Sequence, residues 1–355
     1  MPEGENTTQR LIRLFHEGKP AALARAISMV EDERPGFQGL LHALLKPPPR
    51  AARVGFTGPP GAGKSSLVAG MAAAYRGRGC EVGVVAVDPT SPFSGGALLG
   101  DRIRMNDLAT DPGIFIRSMA TRGSVGGLAT TSKEVVDLMD AFGFDHILIE
   151  TVGVGQTELE VTAAADTVAV VLVPESGDAI QAMKAGLMEI ADIFVVNKAD
   201  RPGADRLLRE IRQAVHLRAG DALSDIPAHH GVDLSRLVRR ERETDAAVEA
   251  GGWEIPVLKT TAQTGEGLEE LLDAVDRHRA WLLESGEMER RRRARARIRV
   301  QDVVDRELRR VAWRSSRVQD LLEEGLDEIQ RGEETPYSVA GRILEAVLAV
   351  PPAMR

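Results

Sequence analysis

The segment at residues 58–65, GPPGAGKS, constrains this chain more strongly than any other part of its sequence. It satisfies the pattern G-x-x-x-x-G-K-[ST], in which a glycine-rich loop holds the phosphate groups of a nucleotide. The pattern requires a strand before the loop and a helix after it, and both are predicted here, over Val54–Thr57 and over Leu67–Tyr75. The sequence therefore predicts a nucleoside-triphosphate site at a strand-to-helix turn.

Each residue type in this loop suits the binding of phosphate. The glycines let backbone N–H groups turn toward the anion without a Cβ clash, and the following helix presents its positive N-terminus to the same group. Lys64 is expected to reach the β- and γ-phosphates, and the Ser65 hydroxyl is expected to join a Mg²⁺ shell. The predicted nucleotide-binding residues of the loop are Gly58, Pro59, Pro60, Gly61, Ala62, Gly63, Lys64, Ser65 and Ser66.

Three acidic residues are candidates for holding the metal ion. Asp88 follows the predicted strand Val82–Val87, and Glu150 follows the predicted strand His146–Ile149. Asp101 lies in a glycine-rich stretch, SGGALLGDR. Ligands bind at the carboxyl edge of open parallel sheets, and Mg²⁺ prefers a few carboxylates together with phosphate oxygens. The predicted metal ligands are Ser65, Asp88, Asp101 and Glu150, and the predicted catalytic residues are Lys64, Asp101 and Glu150.

A second motif indicates which base is bound. Asn197-Lys198-Ala199-Asp200 follows the predicted strand Ile193–Val196. The Asp200 carboxylate can accept hydrogen bonds from guanine N1–H and N2–H₂, and adenine has no such pair of donors. Asn197 is expected to brace the loops, and the Lys198 stem is expected to lie over the base. In the segment Thr261-Ala262-Gln263, a backbone amide is expected to contact guanine O6. The sequence therefore predicts GTP and GDP, rather than ATP, as ligands.

The order of apolar segments predicts an α/β fold with a mainly parallel sheet flanked by helices. From Arg53 to about Val275, short apolar runs alternate with helical patterns, which is typical of repeated βαβ units. We predict an N-terminal helical extension over residues 1–50, a P-loop GTPase domain over 51–285 and a C-terminal helical region over 286–355. The remaining predicted strands are Ile114–Ile116, Thr167–Val173 and Pro256–Lys259.

Composition excludes several classes of protein. The 355 residues carry a formal net charge of −8, which disfavours a nucleic-acid-binding protein that works through phosphate contacts. A single cysteine, Cys80, excludes a disulfide framework and fits a reducing compartment. The sequence contains neither an apolar run of the roughly 20 residues that a membrane span needs nor a signal-peptide pattern. We therefore expect a cytoplasmic protein without membrane association.

Together these motifs resemble the MeaB/ArgK family of G-proteins, GTPases associated with methylmalonyl-CoA mutase. The resemblance covers most of residues 10–285 and rests on GPPGAGKSS (58–66), VDPTSPFSGGALLGDRIRM (87–105), HILIETVGVGQTE (146–158), SGDAIQAMKAG (176–186) and VVNKAD (195–200). It implies a homodimeric GTPase that acts as a chaperone for an adenosylcobalamin-dependent acyl-CoA mutase, gating cofactor loading and protecting or reactivating the enzyme. The family's older name implies a transport-associated role.

The resemblance also assigns roles to particular residues. Asp88, Asp101 and Glu150 are similar to the family's Mg²⁺ and switch residues. Residues 176–186 resemble a further switch that signals to the mutase, with Lys184 as its candidate contact, although this chain has Lys184-Ala185 where members often have two lysines. The segment TPY at 335–337 resembles part of the family's C-terminal helical dimerisation arm.

Other interpretations remain open from the residues alone. A small-molecule or protein kinase would share the phosphate loop but would prefer ATP, against the motif at 197–200. A scaffold would bind GTP without hydrolysing it. A metallochaperone-type GTPase typically carries His-rich tracts or Cys/His sites, whereas this chain has seven histidines and one cysteine. Gln156 is a candidate for positioning water or contacting a switch, and because no catalytic base is evident we expect slow turnover stimulated by a partner.

Overall fold

The computed structural model describes residues 7–46, 48–88, 108, 110–120, 131–151, 161–174, 186–220 and 252–348. Within these residues seven strands form one sheet in the order β3-β2-β4-β1-β5-β6-β7, and every neighbouring pair is parallel. All seven strands predicted from the sequence are present. Their bounds are β1 Ala52–Thr57, β2 Val82–Asp88, β3 Ile114–Ala120, β4 His146–Glu150, β5 Thr167–Leu172, β6 Ile193–Asn197 and β7 Val257–Thr260.

The edge strand β3 is longer than its apolar pattern predicts. The pattern ends at Ile116, but the strand continues through Arg117 and Ser118 to Ala120. A strand at the edge of a sheet tolerates polar residues, because part of it faces other elements or solvent. Here the Arg117 guanidinium pairs with the Glu31 carboxylate of an N-terminal helix. Four strands, β1, β4, β5 and β6, are buried along their whole length. This burial explains why their sequences are nearly continuous apolar runs.

Helices cover both faces of the sheet. Alternate strand residues divide between two hydrophobic clusters, because successive side chains of a strand point to opposite faces. One cluster contains α4, Lys64–Gly77, and α7, Leu268–Glu284. The other contains α5, Ser132–Phe142, and α6, Ala204–Gly220. The sheet is thus the middle layer of a three-layer arrangement, and its carboxyl edge lies between the two helical layers.

Three N-terminal helices pack into the second of these clusters. They are α1 Thr7–His16, α2 Pro20–Glu31 and α3 Phe37–Leu44. Phe15, Leu23 and Leu40 are fully buried, and the Phe15 ring meets the Phe142 ring edge-on with centroids 5.1 Å apart. These helices therefore share a hydrophobic core with one face of the sheet.

Backbone contacts divide the chain into two compact units, residues 1–288 and residues 289–355. Three helices follow α7, and they are α8 Glu287–Arg314, α9 Ser316–Gln330 and α10 Pro336–Leu348. The second unit has a small core of its own, formed by Val318, Val339, Ile343 and Val347. Among the residues that the structure describes, no helix is both long enough and apolar enough to cross a membrane.

Candidate nucleotide-binding site

The phosphate loop connects the end of β1 to the start of α4 and depends on glycine at two closely packed positions. Gly58 has φ +132°, and a Cβ there would lie 2.1 Å from the Val171 carbonyl oxygen. Gly63 has φ +87°, and a Cβ there would lie 2.3 Å from Asn197 Nδ2. Both distances are far shorter than a real Cβ contact. The loop is therefore packed against β5 and against the end of β6, and its path leaves no room for a side chain at either position.

Lys64, the first residue of α4, is buried with its charged end directed at the loop. Its Nζ donates hydrogen bonds to the carbonyl oxygens of Gly58, at 2.8 Å, and Pro59, at 3.0 Å. A buried ammonium needs such partners, because removing it from water is costly. Phosphate oxygens would be stronger acceptors for the same donor, since hydrogen bonds between ionised partners are the stronger kind. The loop thus holds a cation where an anionic ligand would enter.

The next residue of α4 joins the loop to the end of β4. The Ser65 hydroxyl donates to Glu150 Oε1 at 2.7 Å, and both side chains are buried. Parallel pairing of β1 with β4 sets Phe56 opposite Glu150 and so brings the two strand ends together. A hydroxyl and a carboxylate that converge in this way are the oxygen donors that Mg²⁺ takes in proteins. These two residues therefore fit a magnesium site beside the phosphate loop.

The other predicted metal and switch residues are placed only in part. Asp88 ends β2, and pairing of Ala86 with Glu150 puts its backbone at the carboxyl edge, two residues beyond that pair. Asp101, Gln156 and Lys184 lie outside the described residues. Within the part of the chain that the structure describes, no group of three or more His, Cys, Asp or Glu side chains could hold a metal ion by themselves.

Asn197, at the end of β6, connects the phosphate loop to the loop after β7. Its Nδ2 donates to the Ala62 carbonyl oxygen at 2.8 Å. Its Oδ1 accepts from the Thr260 hydroxyl at 3.1 Å and from the Ala262 N–H at 3.2 Å. Asn197 is only 1% exposed, so its amide is committed to these three bonds rather than to a ligand in solvent. The side chain thereby sets the separation between the two loops.

An open cleft lies where these loops meet, and it collects residues from three distant parts of the sequence. Lys198, in the wall of this cleft, has φ +56°, an uncommon backbone conformation for a residue other than glycine, and such conformations concentrate at functional sites. Asp200 is exposed at the cleft. Lining residues are Gly63, Ser66, Asn197, Lys198, Asp200, Arg201, Thr261, Ala262 and Gln263.

Of these lining residues, sequence analysis missed only Arg201. It follows Asp200 directly, and its N–H donates to the Lys198 carbonyl oxygen at 3.0 Å in the turn that ends the motif. The motif comprises four residues, and only the turn shows that the chain stays beside the cleft for one residue more. Two features of the sequence could have indicated Arg201: it directly follows Asp200, and its side chain is positively charged.

Comparison with known proteins identifies the family of this chain. The profile of the methylmalonyl-CoA mutase-associated GTPase MeaB matches residues 23–317. The chain belongs to the MeaB family of GTPases. The GTPase ArgK of Escherichia coli is 34% identical over 289 residues, which cover 80% of this chain and 80% of that protein. GTP binding and GTP hydrolysis are thus properties of the family to which this GTPase belongs.

Two further relatives and a solved structure are also similar to most of this chain. A protein of Pyrococcus horikoshii assigned as a GTPase is 41% identical over 339 residues, which cover 95% of this chain and 98% of the relative. The mitochondrial methylmalonic aciduria type A homolog of Mus musculus is 33% identical over 307 residues, covering 81% of this chain and 67% of that protein. The crystal structure of an LAO/AO transport system kinase has a TM-score of 0.67 at 25% identity, covering 98% of this chain and 100% of that one.

Proposed function

We propose that this MeaB-family GTPase hydrolyses GTP in the cleft at the carboxyl edge of its sheet, as a chaperone for an adenosylcobalamin-dependent acyl-CoA mutase. The observation that carries the proposal is the bridge made by Asn197. It ties the phosphate loop at Ala62 to the loop at 260–262, so that one ligand with phosphates and a purine can span both. The phosphate loop at 58–66 then binds the phosphates, and Asp200 selects guanine.

Within this proposal Lys64 exchanges its two loop carbonyl acceptors for β- and γ-phosphate oxygens. Backbone N–H groups from Gly61 onward also donate to the phosphates, since the two prolines before Gly61 have no N–H. Helix α4 adds its positive N-terminus. The charge that develops during hydrolysis is thus met by donors already in place, which is the main way proteins accelerate phosphoryl transfer.

Magnesium is the metal that fits the oxygen donors of Ser65 and Glu150. When bound, Mg²⁺ would neutralise part of the charge on the β- and γ-phosphates. Asp88 and Asp101 are proposed as the further carboxylates of this site, and Asp101 and Glu150 as catalytic residues with Lys64. In the described structure, Glu150 holds the Ser65 hydroxyl by a hydrogen bond, which orients that oxygen beside the loop.

Support for the mutase as partner comes from the family, which is named for its association with methylmalonyl-CoA mutase. The segment at 176–186, with Lys184, is the proposed contact with the mutase. A net charge of −8 argues against a nucleic-acid partner. We place the protein in the cytoplasm, because a single cysteine suits a reducing compartment.

A homodimer is part of the same proposal. On α8, Val300, Val304 and Leu308 are spaced four residues apart and therefore lie on one face of the helix. All three side chains are exposed, by 64%, 48% and 46%. Aligned apolar side chains on a helix face are the usual means of packing against another helix. A second copy of the chain, covering this face, would remove them from water.

The deciding experiment measures phosphate release from GTP and from ATP by the purified protein, alone and with an adenosylcobalamin-dependent methylmalonyl-CoA mutase. We expect slow, GTP-specific turnover that rises several-fold with the mutase. GTP turnover that does not change when the mutase is added would support the GTPase activity but contradict the mutase as partner. Binding of GTP without turnover in either condition would favour a scaffold. A preference for ATP would favour the kinase interpretation, which is also in the name of the related crystal structure.

A further inference from the structure

Two consecutive residues at the end of β4 contact the two ends of the phosphate loop. Glu150 meets Ser65, at the end of the loop that enters α4. The next residue, Thr151, meets Thr57, which ends β1 just before the loop, and the two hydroxyl oxygens lie 3.1 Å apart. Both threonine side chains are buried, so this contact is shielded from water. The end of β4 therefore contacts the loop on both of its sides.

The pairing of β1 with β4 does not depend on the Thr151 hydroxyl. The backbone N–H of Thr151 donates to the Phe56 carbonyl oxygen at 3.1 Å and so already holds the two strand ends together. Thr151 Oγ1 lies 3.3 Å from that same carbonyl oxygen, farther than from the Thr57 hydroxyl. A hydroxyl has one proton to donate, and burying it without a partner is costly. The Thr57 hydroxyl is the nearer of its two acceptors.

Thr57 lies next to a carbonyl group that holds the charge of the loop. Gly58 follows it directly, and the Gly58 carbonyl oxygen accepts from Lys64 Nζ at 2.8 Å. The backbone at Gly58 is packed closely against β5, since a Cβ there would lie 2.1 Å from a carbonyl oxygen of that strand. A displacement of Thr57 has little room to be taken up at this point and would shift the Lys64 ammonium. The two hydroxyls thus connect that ammonium to the end of β4.

We infer that Thr151 is a positioning residue for GTP hydrolysis, whose hydroxyl fixes the distance between the Lys64 ammonium and the oxygen donors of Glu150 and Ser65. The inference rests on the proposed function, which assigns Lys64 to the phosphates and the other two residues to Mg²⁺. In this role Thr151 acts through Thr57 and does not itself contact the nucleotide.

A change in this distance should affect hydrolysis more than binding. The ammonium and the metal donors act on the same phosphates, and their placement matters most where charge develops in the transition state. Catalysis is sensitive to displacements on the ångström scale. In the proposed site GDP binding draws on many contacts, along the loop and at the base, and should tolerate a shift at one of them. The rate of hydrolysis and the affinity for GDP therefore separate a positioning role from a general loss of structure.

The test measures single-turnover phosphate release from GTP, which reports the hydrolysis step, and the calorimetric affinity for GDP. Thr151→Val removes the hydroxyl and keeps the branched shape, whereas Thr151→Ser keeps the hydroxyl and removes the methyl group. We expect Thr151→Val to slow hydrolysis about tenfold, within the roughly 100-fold that a displacement of about 1 Å can cost, and to change GDP affinity less than about twofold. Thr151→Ser should stay near the wild-type rate. Thr57→Val, which removes the partner hydroxyl, should give the same pattern as Thr151→Val.

Thr167→Val is the matched control. Thr167 is also a buried threonine of a strand, and its hydroxyl oxygen lies 2.8 Å from His278 Nδ1. It begins β5, so it lies at the edge of the sheet opposite the phosphate loop. The same substitution there removes a buried, hydrogen-bonded hydroxyl without touching the loop. We expect this variant to hydrolyse GTP at the wild-type rate, measured well below its unfolding temperature.

Several results would overturn the inference. They are a wild-type rate in Thr151→Val or in Thr57→Val, equal slowing in Thr151→Val and Thr151→Ser, and equal slowing in Thr167→Val. A loss of GDP affinity as large as the loss of rate would also overturn it, because the hydroxyl would then serve binding in general. A wild type that binds GTP but releases no phosphate would instead reject the proposed hydrolysis itself, which distinguishes the two failures.

Discussion

At the scale of single residues, Lys64 offers the most direct test of the phosphate site. Its ammonium donates hydrogen bonds to the carbonyl oxygens of Gly58 and Pro59 in the loop. We expect Lys64→Ala to reduce GTP turnover by about 100-fold or more, because one preorganised donor to developing charge typically contributes that much. Phosphate release is measured beside Lys19→Ala, which changes an exposed lysine before α2 and should leave turnover intact. Wild-type turnover in Lys64→Ala would contradict the phosphate assignment.

A second prediction at the scale of single residues concerns pH. It involves His146 at the start of β4, at the edge of the sheet opposite the nucleotide site. His146 is buried and stacks on Tyr75, with ring centroids 3.7 Å apart. Burial lowers the pKa of His146, and the nearby Arg279 cation lowers that pKa further. The folded state therefore favours neutral histidine, while the unfolded chain takes up a proton near the ordinary value of about 6.5. Stability from this site is complete above that pH and is lost as the pH falls below it.

The measurement is the unfolding temperature of the wild type and of His146→Phe at pH 7.5 and pH 5.5. We expect the wild type to lose more stability on acidification than the variant, which keeps the ring stack and cannot take up a proton. Tyr75→Phe, which keeps both the stack and the imidazole, should lose as much as the wild type. Equal losses in the wild type and His146→Phe would remove His146 as a source of acid sensitivity.

At the scale of elements, the contact between α9 and α10 depends on one buried glycine. A Cβ at Gly325 would lie 2.4 Å and 2.8 Å from the two γ-methyl groups of Val339. Alanine is favoured over glycine in a helix by about 1 kcal/mol, but overpacking of a core costs about 1–3 kcal/mol. We therefore expect Gly325→Ala to be destabilising on balance, by up to about 2 kcal/mol.

Gly341, in α10, is the matched control. A Cβ there meets no other atom within 4 Å, so Gly341→Ala gains helix propensity without a clash and should stabilise the protein by about 0.5–1 kcal/mol. Both free energies of unfolding are measured by denaturant titration. Adding Val339→Ala to Gly325→Ala should recover part of the loss from the clash. Two glycine variants that change stability in the same direction would contradict this account of the contact.

At the scale of the whole molecule, the exposed apolar face of α8 tests the proposed homodimer. A charge at Val304, in the middle of that face, would have to be desolvated in any interface that covers it. We expect the wild type to be a dimer by light scattering and Val304→Asp to be monomeric. Arg309→Asp introduces the same residue five positions from Val304, on another face of the same helix, and should leave the dimer intact. A monomeric wild type, or a dimeric Val304→Asp, would reject this face as the interface.

Local patterns in the sequence determined much of this protein. The phosphate loop and the motif at 197–200 are contiguous, so their residue types reveal their chemistry without knowledge of the fold. The seven strands were predictable because a parallel strand covered on both faces is apolar along its length. Even there, the carboxyl end of β3 was not predicted, because the pattern ends before Arg117, whose partner Glu31 lies on α2.

Only the tertiary structure decided which of these segments meet and which donors they leave for a ligand. Strand order and register bring Glu150 to Ser65, 85 residues away, and Asn197 to Ala62, 135 residues away. The same packing makes glycine obligatory at 63, engages the N–H of Ala262 and leaves Gln263 and Arg201 beside the cleft. Hydrogen bonds are directional and short, so whether two distant groups pair depends on ångström-scale placement. Residue types and their spacing along the chain do not predict the positions of distant groups in space to that precision.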